Sequence, residues 1–192
     1  MIAYRTKILF LSSTGMIRGR MACEIARRMK GDEVRIACAC IHNPGRHDRE
    51  VDRALEAAGY DSNNDFRPMN MNEVSDTVYD LVITLGAEAR VQSGMLPGPP
   101  AVMNWEIPMP QRDDGTPIES ANDNARENLP DGGNSGGFID TSGSIVNSDD
   151  TREGVITAAY LDVLRRIEEK MQFLFTGGFF RCFSFERLRL LT

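Results

Sequence analysis

Residues 12–18 read SSTGMIR and lie between an apolar run, Ile8 to Leu11, and a stretch that takes up helical spacing from Arg18 onward. A strand that ends at Ser12 and a helix that starts at Arg18 leave Ser13, Thr14, Gly15, Met16 and Ile17 to make a tight turn. Such a turn aims several backbone N–H groups and a helix N-terminus at one point, which suits an oxyanion. Arg18 adds a guanidinium able to make a bidentate, charge-assisted clamp. The chemistry implied for residues 12–18 is the binding of a phosphate-, sulfate- or arsenate-type oxyanion. The plain alternative is an ordinary strand-to-helix loop with a surface arginine, because the segment has no glycine-rich run.

The elements that must position this loop follow from period and composition. Ile8, Leu9, Phe10 and Leu11 form a continuous apolar run, as expected of a strand buried on both faces. Met21, Ala22, Ile25, Ala26 and Met29 fall at helical spacing, with Arg20, Arg27, Arg28 and Lys30 assigned to other faces. Strands are expected at 7–12, 33–39, 81–85 and 101–104, and helices at 18–30, 47–58, 71–77 and 86–93. This alternation predicts a parallel sheet with helices on both faces. Ligands sit beyond the carboxyl ends of the strands in such sheets, which is where loop 12–18 would lie.

The order and spacing of four segments resemble the low-molecular-weight protein tyrosine phosphatases and the related thioredoxin-linked arsenate reductases. KILFLSSTGMIRGRMACEIARRM (7–29) resembles the family's first strand, its loop of a Cys, five residues and an Arg, and its Met-Ala pair. IACACIHNPGRHDREVDRALEAAGYD (36–61) resembles its second strand, Pro-Gly turn and helix. FRPMNMNEVSDTVYDLVITL (66–85) resembles an Arg-Pro turn, a short helix and the third strand. VMNWEIPMP (102–110) resembles the Trp-acid-x-Pro-Asp-Pro segment that carries the general acid. The resemblance covers about residues 7–110 and a last helix. It implies a doubly wound three-layer α/β sandwich with a four-stranded parallel sheet. It also implies an oxyanion site made by Ser12, Ser13, Thr14, Gly15, Met16, Ile17 and Arg18, rimmed by Trp105 and Glu106.

Against that pattern, Ser12 occupies the nucleophile's position and Met109 the general acid's. Thr14 and Gly15 replace a Gly-Asn pair that shapes the loop, and Gly19 replaces a Ser that helps stabilise the thiolate. A nest of N–H dipoles can lower a thiol's pKa enough to make the attacking thiolate, whereas a serine hydroxyl stays protonated in the same nest. Loss of a general acid alone typically costs ~10²–10⁴-fold. A single Cys→Ser replacement would explain Ser12 but not Gly15, Gly19 and Met109.

The chain has 192 residues and 41% hydrophobic content, enough for a packed core. No apolar run approaches the ~18 residues of a membrane span, and the basic N-terminus is followed by too short an apolar run for a secretory core. A net charge of −6 gives no general case for nucleic-acid binding. Cys23, Cys38, Cys40 and Cys182 show neither Cys-x-x-Cys nor zinc spacing. They read as small buried hydrophobes in a reducing cytoplasm. His42 and His47 flank the turn at Asn43-Pro44-Gly45 and read as solvated loop residues. No cofactor and no metal is expected.

Residues 1–174 are expected to form one phosphatase-like domain interrupted by an acidic, Gly-rich insertion at 111–150. The insertion has nine Asp or Glu against two Arg, and six Gly. It can bury little apolar surface and reads as loop or partly disordered, either a solvated insertion or a lid or partner-binding loop. A last helix is expected at about 151–174, with Asp150 and Glu153 as a capping box. The tail from 175 to 192 follows with Phe179, Phe180, Phe183 and Phe185, Leu188, Leu190 and Leu191, and three arginines. Such apolar groups must find cover on the domain, on a second copy in a homodimer or on a protein partner.

Three functional readings follow, in this order. The first is a degenerate phosphatase-like protein that binds an oxyanion or a phosphorylated partner without turnover. The second is an active tyrosine phosphatase or arsenate reductase with altered chemistry. The third is a phosphotransferase-system IIB-like subunit, a group that also places its phosphate-accepting cysteine directly after the first strand.

Overall fold

The computed structural model describes residues 5–42, 47–62, 65–98, 100–111, 115–118, 138–139, 145–146 and 148–177. The run Ile8–Leu11 becomes the centre of β1 (Thr6–Ser12), and every residue from Ile8 to Ser12 is buried. Helix α1 (Arg18–Lys30) leads to β2 (Val34–Cys40), which lies parallel to β1 with Thr6 opposite Val34 and Ser12 opposite Cys40. On the other side of β1 runs β4 (Leu81–Leu85), then β5 (Ala101–Trp105), also parallel.

The sheet has five strands where the resemblance implied four. The extra one is β3 (Met69–Asn70), which pairs with Ala39 and Cys40 on the outer side of β2 and gives the order β3-β2-β1-β4-β5. A strand of two residues is too short to leave an alternating pattern in sequence. Asp80 ties the opposite ends of three strands together. Its carboxylate accepts from Lys7 N at 2.8 Å, its N–H donates to the Lys7 carbonyl at 3.0 Å, and its carbonyl accepts from Ala101 N at 3.1 Å.

Helices cover both faces. Side chains of α1, α2 (Arg49–Ala57) and α5 (Ser148–Thr176) bury Ile8, Phe10, Ile83, Leu85 and Trp105 on one side. Val74 of α3 (Met71–Val74) and Ala89 of α4 (Ala87–Gln92) join Leu9, Leu11 and Val82 on the other. This is the doubly wound α/β arrangement expected from the alternating elements.

Several boundaries move for physical reasons. Asp48, not residue 47, begins α2: its carboxylate accepts from Glu50 N at 3.0 Å as an N-cap. Helix α3 is a single turn held by a capping box, in which Asn70 N donates to Glu73 Oε2 at 2.6 Å. Helix α5 begins at Ser148, so Asp150 lies inside it and is not its N-cap. Within the acidic insertion, β6 (Phe138–Ile139) and β7 (Ile145–Val146) form a short antiparallel pair where only loop was expected. Ile118 of the insertion is buried in the main core, and its N–H donates to the Pro110 carbonyl at 2.7 Å. Residues 119–137 of the insertion, and 178–192 of the tail, lie outside the described residues. Among the described residues no helix is long and apolar enough to cross a membrane.

Candidate functional site

Because the strands are parallel and nearly in step, the residues after β1, β2, β4 and β5 come to one end of the sheet. Ser12 is the last residue of β1, and Ser13 to Ile17 make the turn into α1. The end of β2 zips onto the start of this turn. Ile41 N donates to the carbonyls of Ser12 and Ser13 at 3.1 Å each, and His42 N donates to Ser13 O at 2.9 Å. Gly15 then takes a φ of +76°, and a Cβ there would lie 2.6 Å from Pro68 Cβ. A glycine is therefore required twice over, by backbone conformation and by the close approach of Pro68.

The turn leaves donors available. Among the described residues, the N–H groups of residues 13–17 donate to no backbone carbonyl. Ile17 stands at the N-cap of α1 and offers no side-chain acceptor to the first turn, which carries no acidic residue. Unpaired N–H groups at a helix start, with the positive end of its dipole, favour an anion.

Arg18 closes one side. Its Nη1 donates to the carbonyl of Ile107 at 2.7 Å, and its Nη2 lies 3.4 Å from Ser13 Oγ. The guanidinium thus bridges the 12–18 turn and the segment after β5. Burial lowers its pKa, while the Glu88 carboxylate pulls the other way; a guanidinium remains charged regardless. Gly86, at the end of β4, has a φ of +116°, and a Cβ there would sit 2.9 Å from Arg18 Nη1. Beyond it, Glu88 pairs with His42 across 2.6 Å, both side chains half-exposed.

Ser12 is 2% exposed, and its Oγ has no hydrogen-bond partner among the described residues. A Cβ placed on Gly19 would lie 3.0 Å from Ser12 Oγ and 2.7 Å from Cys38 Sγ. The Cys38 thiol therefore occupies the space into which a side chain at position 19 would point. A hydrogen bond with Cys23, then burial, hold the Cys38 pKa well above the usual thiol range, and burial raises that of Cys40. Neither supplies a thiolate at neutral pH. Cys23, Cys38 and Cys40 are free and buried. No group of His, Cys, Asp and Glu among the described residues is arranged to hold a metal ion.

Trp105 is buried and packs at a tilt on Phe10, with ring centroids 6.2 Å apart. Glu106 is exposed, and its Oε1 accepts from Asn104 Nδ2 at 3.3 Å. Met109 is half-buried and packs against the main core. The sequence carries no sign of Gly86, Glu88 or the Ile107 carbonyl as neighbours of Arg18, because they follow β4 and β5, far along the chain.

Arg20 corrects the sequence reading outright. Its position in the helical period, like that of Arg27, Arg28 and Lys30, predicts a face away from the apolar stripe, yet it is fully buried. It forms an ion pair with Asp52 of α2, lies 3.3 Å from His47 Nδ1, and sits over the Phe66 ring at 5.8 Å. His47 also contacts Asp52, so it bridges the pair instead of standing in solvent. A buried charge needs such partners.

No family model matches the chain, and no curated protein matches it. Solved structures do. An arsenate reductase in the phosphate-binding state aligns at a TM-score of 0.53 with 13% identity, over 88% of this chain and 95% of that one. Vibrio vulnificus Wzb in complex with benzylphosphonate aligns at 0.52 with 12% identity, over 88% and 96%. A low-molecular-weight protein tyrosine phosphatase from T. tengcongensis aligns at 0.46 with 14% identity, over 86% and 99%. At these identities the likeness is one of fold alone, shared with the arsenate reductase and with Wzb.

Proposed function

We propose that loop 12–18 binds a phosphate-class oxyanion, free or carried by a phosphorylated partner, and that the chain does not turn it over by thiolate chemistry. The observation that carries this reading is the pairing of undonated N–H groups at residues 13–17 with the Arg18 guanidinium across the same turn. Two neighbours in fold bind phosphate and benzylphosphonate, which supports an oxyanion as the ligand class. Ser12 and Met109 both weigh against turnover. A buried hydroxyl without a base does not become an alkoxide, and a thioether cannot donate a proton to a leaving group. The buried, free thiols suit a reducing compartment, and we place the protein in the cytoplasm.

The test is thermal stability in phosphate or sulfate. A ligand that binds only the folded state raises the melting temperature by mass action. The rise should be lost in Arg18→Ala and kept in Ser12→Ala. Equal shifts in wild type and Arg18→Ala would mean general salt exclusion and overturn the reading.

A second reading, an active enzyme with altered chemistry, has one observation in its favour. The His42–Glu88 pair is an imidazole held by a carboxylate, and the backbone N–H of His42 donates to the Ser13 carbonyl. This is the kind of pair that handles protons in catalysis.

A further inference from the structure

We propose that the C-terminal segment 178–192 folds back on its own chain and inserts phenylalanine side chains into the cavity between β5 and α5, against Trp105. The cavity has a volume of about 330 Å³ and is lined by Met103 and Trp105 from the strand and by Glu169, Lys170, Phe173 and Leu174 from the helix. That volume suits the insertion of apolar side chains, being at the small end of ligand cavities, which run from about 300 to 1,000 Å³. Its outer wall, Phe173, is 75% exposed, while its floor, Trp105, is 6% exposed. An aromatic ring left in water beside an apolar cavity asks for cover.

The chain itself supplies a cover of the right kind in the right place. Helix α5 ends at Thr176, and the next residue, Gly177, donates its N–H to the Phe173 carbonyl at 2.9 Å. A Cβ on Gly177 would lie 2.6 Å from that carbonyl oxygen, so the chain can turn there only as glycine. Gly178 follows, and then Phe179 and Phe180. An extended chain advances about 3.3–3.6 Å per residue, so these two rings reach back roughly 10 Å. A helix rises 1.5 Å per residue, so about the same length separates Gly177 from Lys170 at the far end of the cavity. The last turn of α5 has no basic residue, and Arg181 would bring a cation to its negative end.

A sixth parallel strand would need a connection of the wrong hand. Helix α1, on the same face as α5, carries the chain from β1 toward β2 and β3. A connection from β5 through α5 to a strand beyond β5 would step the opposite way on that face and have the opposite, left hand, which parallel connections avoid. Side-chain insertion carries no such cost.

The sole tryptophan of the chain lines the cavity, and Cys182 lies in the segment while Cys23, Cys38 and Cys40 are buried. A thiol-reactive nitroxide on native full-length protein should therefore label Cys182 selectively and quench Trp105 fluorescence. Loss of most of the emission, unchanged on dilution, is the expected result. Replacing Phe179 and Phe180 together by Ser should restore emission in the labelled protein and shift the unlabelled spectrum to the red. Undiminished emission, quenching that vanishes on dilution (a second copy supplying the segment), or quenching indifferent to the Phe→Ser change would each overturn the proposal.

Discussion

Gly19 shows how one residue can be dictated by another far away in sequence. Its own backbone needs no glycine, but a Cβ there would meet Cys38 Sγ at 2.7 Å. Cys38 sits on β2 in the core and is 5% exposed, so it has little room to retreat. Gly19→Ser is therefore expected to cost about 1–3 kcal/mol, the usual range for overpacking a filled interior. Cys38→Ala should recover most of that loss in the double variant although each change alone destabilises. Urea denaturation of the four proteins checks this; additive effects would show that the two positions do not share the space. Gly86 differs, because the guanidinium it accommodates is the far end of a flexible side chain. There the positive φ, more than the contact, excludes other residues.

At the scale of elements, polar contacts carried on α5 tie it to both ends of α2. The Tyr160 hydroxyl donates to Asp48, the N-cap of α2, at 2.7 Å, and the Tyr60 hydroxyl, just past α2, donates to Glu168. Burial first, then the hydrogen bond to Glu168 and its charge, push the Tyr60 pKa up to about 12. In the unfolded chain a tyrosine titrates near 10. The folded state therefore holds the proton more tightly, and the contribution of Tyr60 to stability is complete below pH 10 and lost as pH rises from 10 toward 12. Tyr60→Phe should remove this part of the alkaline fall in stability, and ultraviolet titration of the wild type should show one tyrosinate appearing near 12. A fall of the same size in Tyr60→Phe would assign it to other groups.

For the whole molecule, the fold does not by itself fix the chemistry. Hydrolysis of a simple aryl phosphate and thiol-dependent arsenate reduction are both expected to stay at buffer background, since Ser12 and Met109 supply neither thiolate nor acid. Turnover that disappears in Ser12→Ala would prove serine a working nucleophile. Much of the architecture was legible in sequence, because a buried parallel strand writes an uninterrupted apolar run such as Ile8 to Leu11, and α1 writes its period in Met21, Ala22, Ile25 and Ala26. The two-residue β3 and the early start of α5 were not, for neither leaves a periodic signal. The 12–18 turn was legible as a contiguous segment. Its surroundings were not, because Gly86, Glu88 and Ile107 are joined to Arg18 only by strand order and register. Arg20 was misread because a charge at helical spacing looks solvated until α2 brings Asp52 against it.

The packing of Gly19 against Cys38 also bears on history. If an ancestor carried a side chain at position 19, the thiol now on β2 acts as a ratchet. Return to that residue is blocked while Cys38 stays, since the first step meets a filled space. Losing Cys38 first opens a void in the core. Either order passes through a less stable intermediate, so glycine at position 19 is held by the path between sequences as well as by the folded state itself.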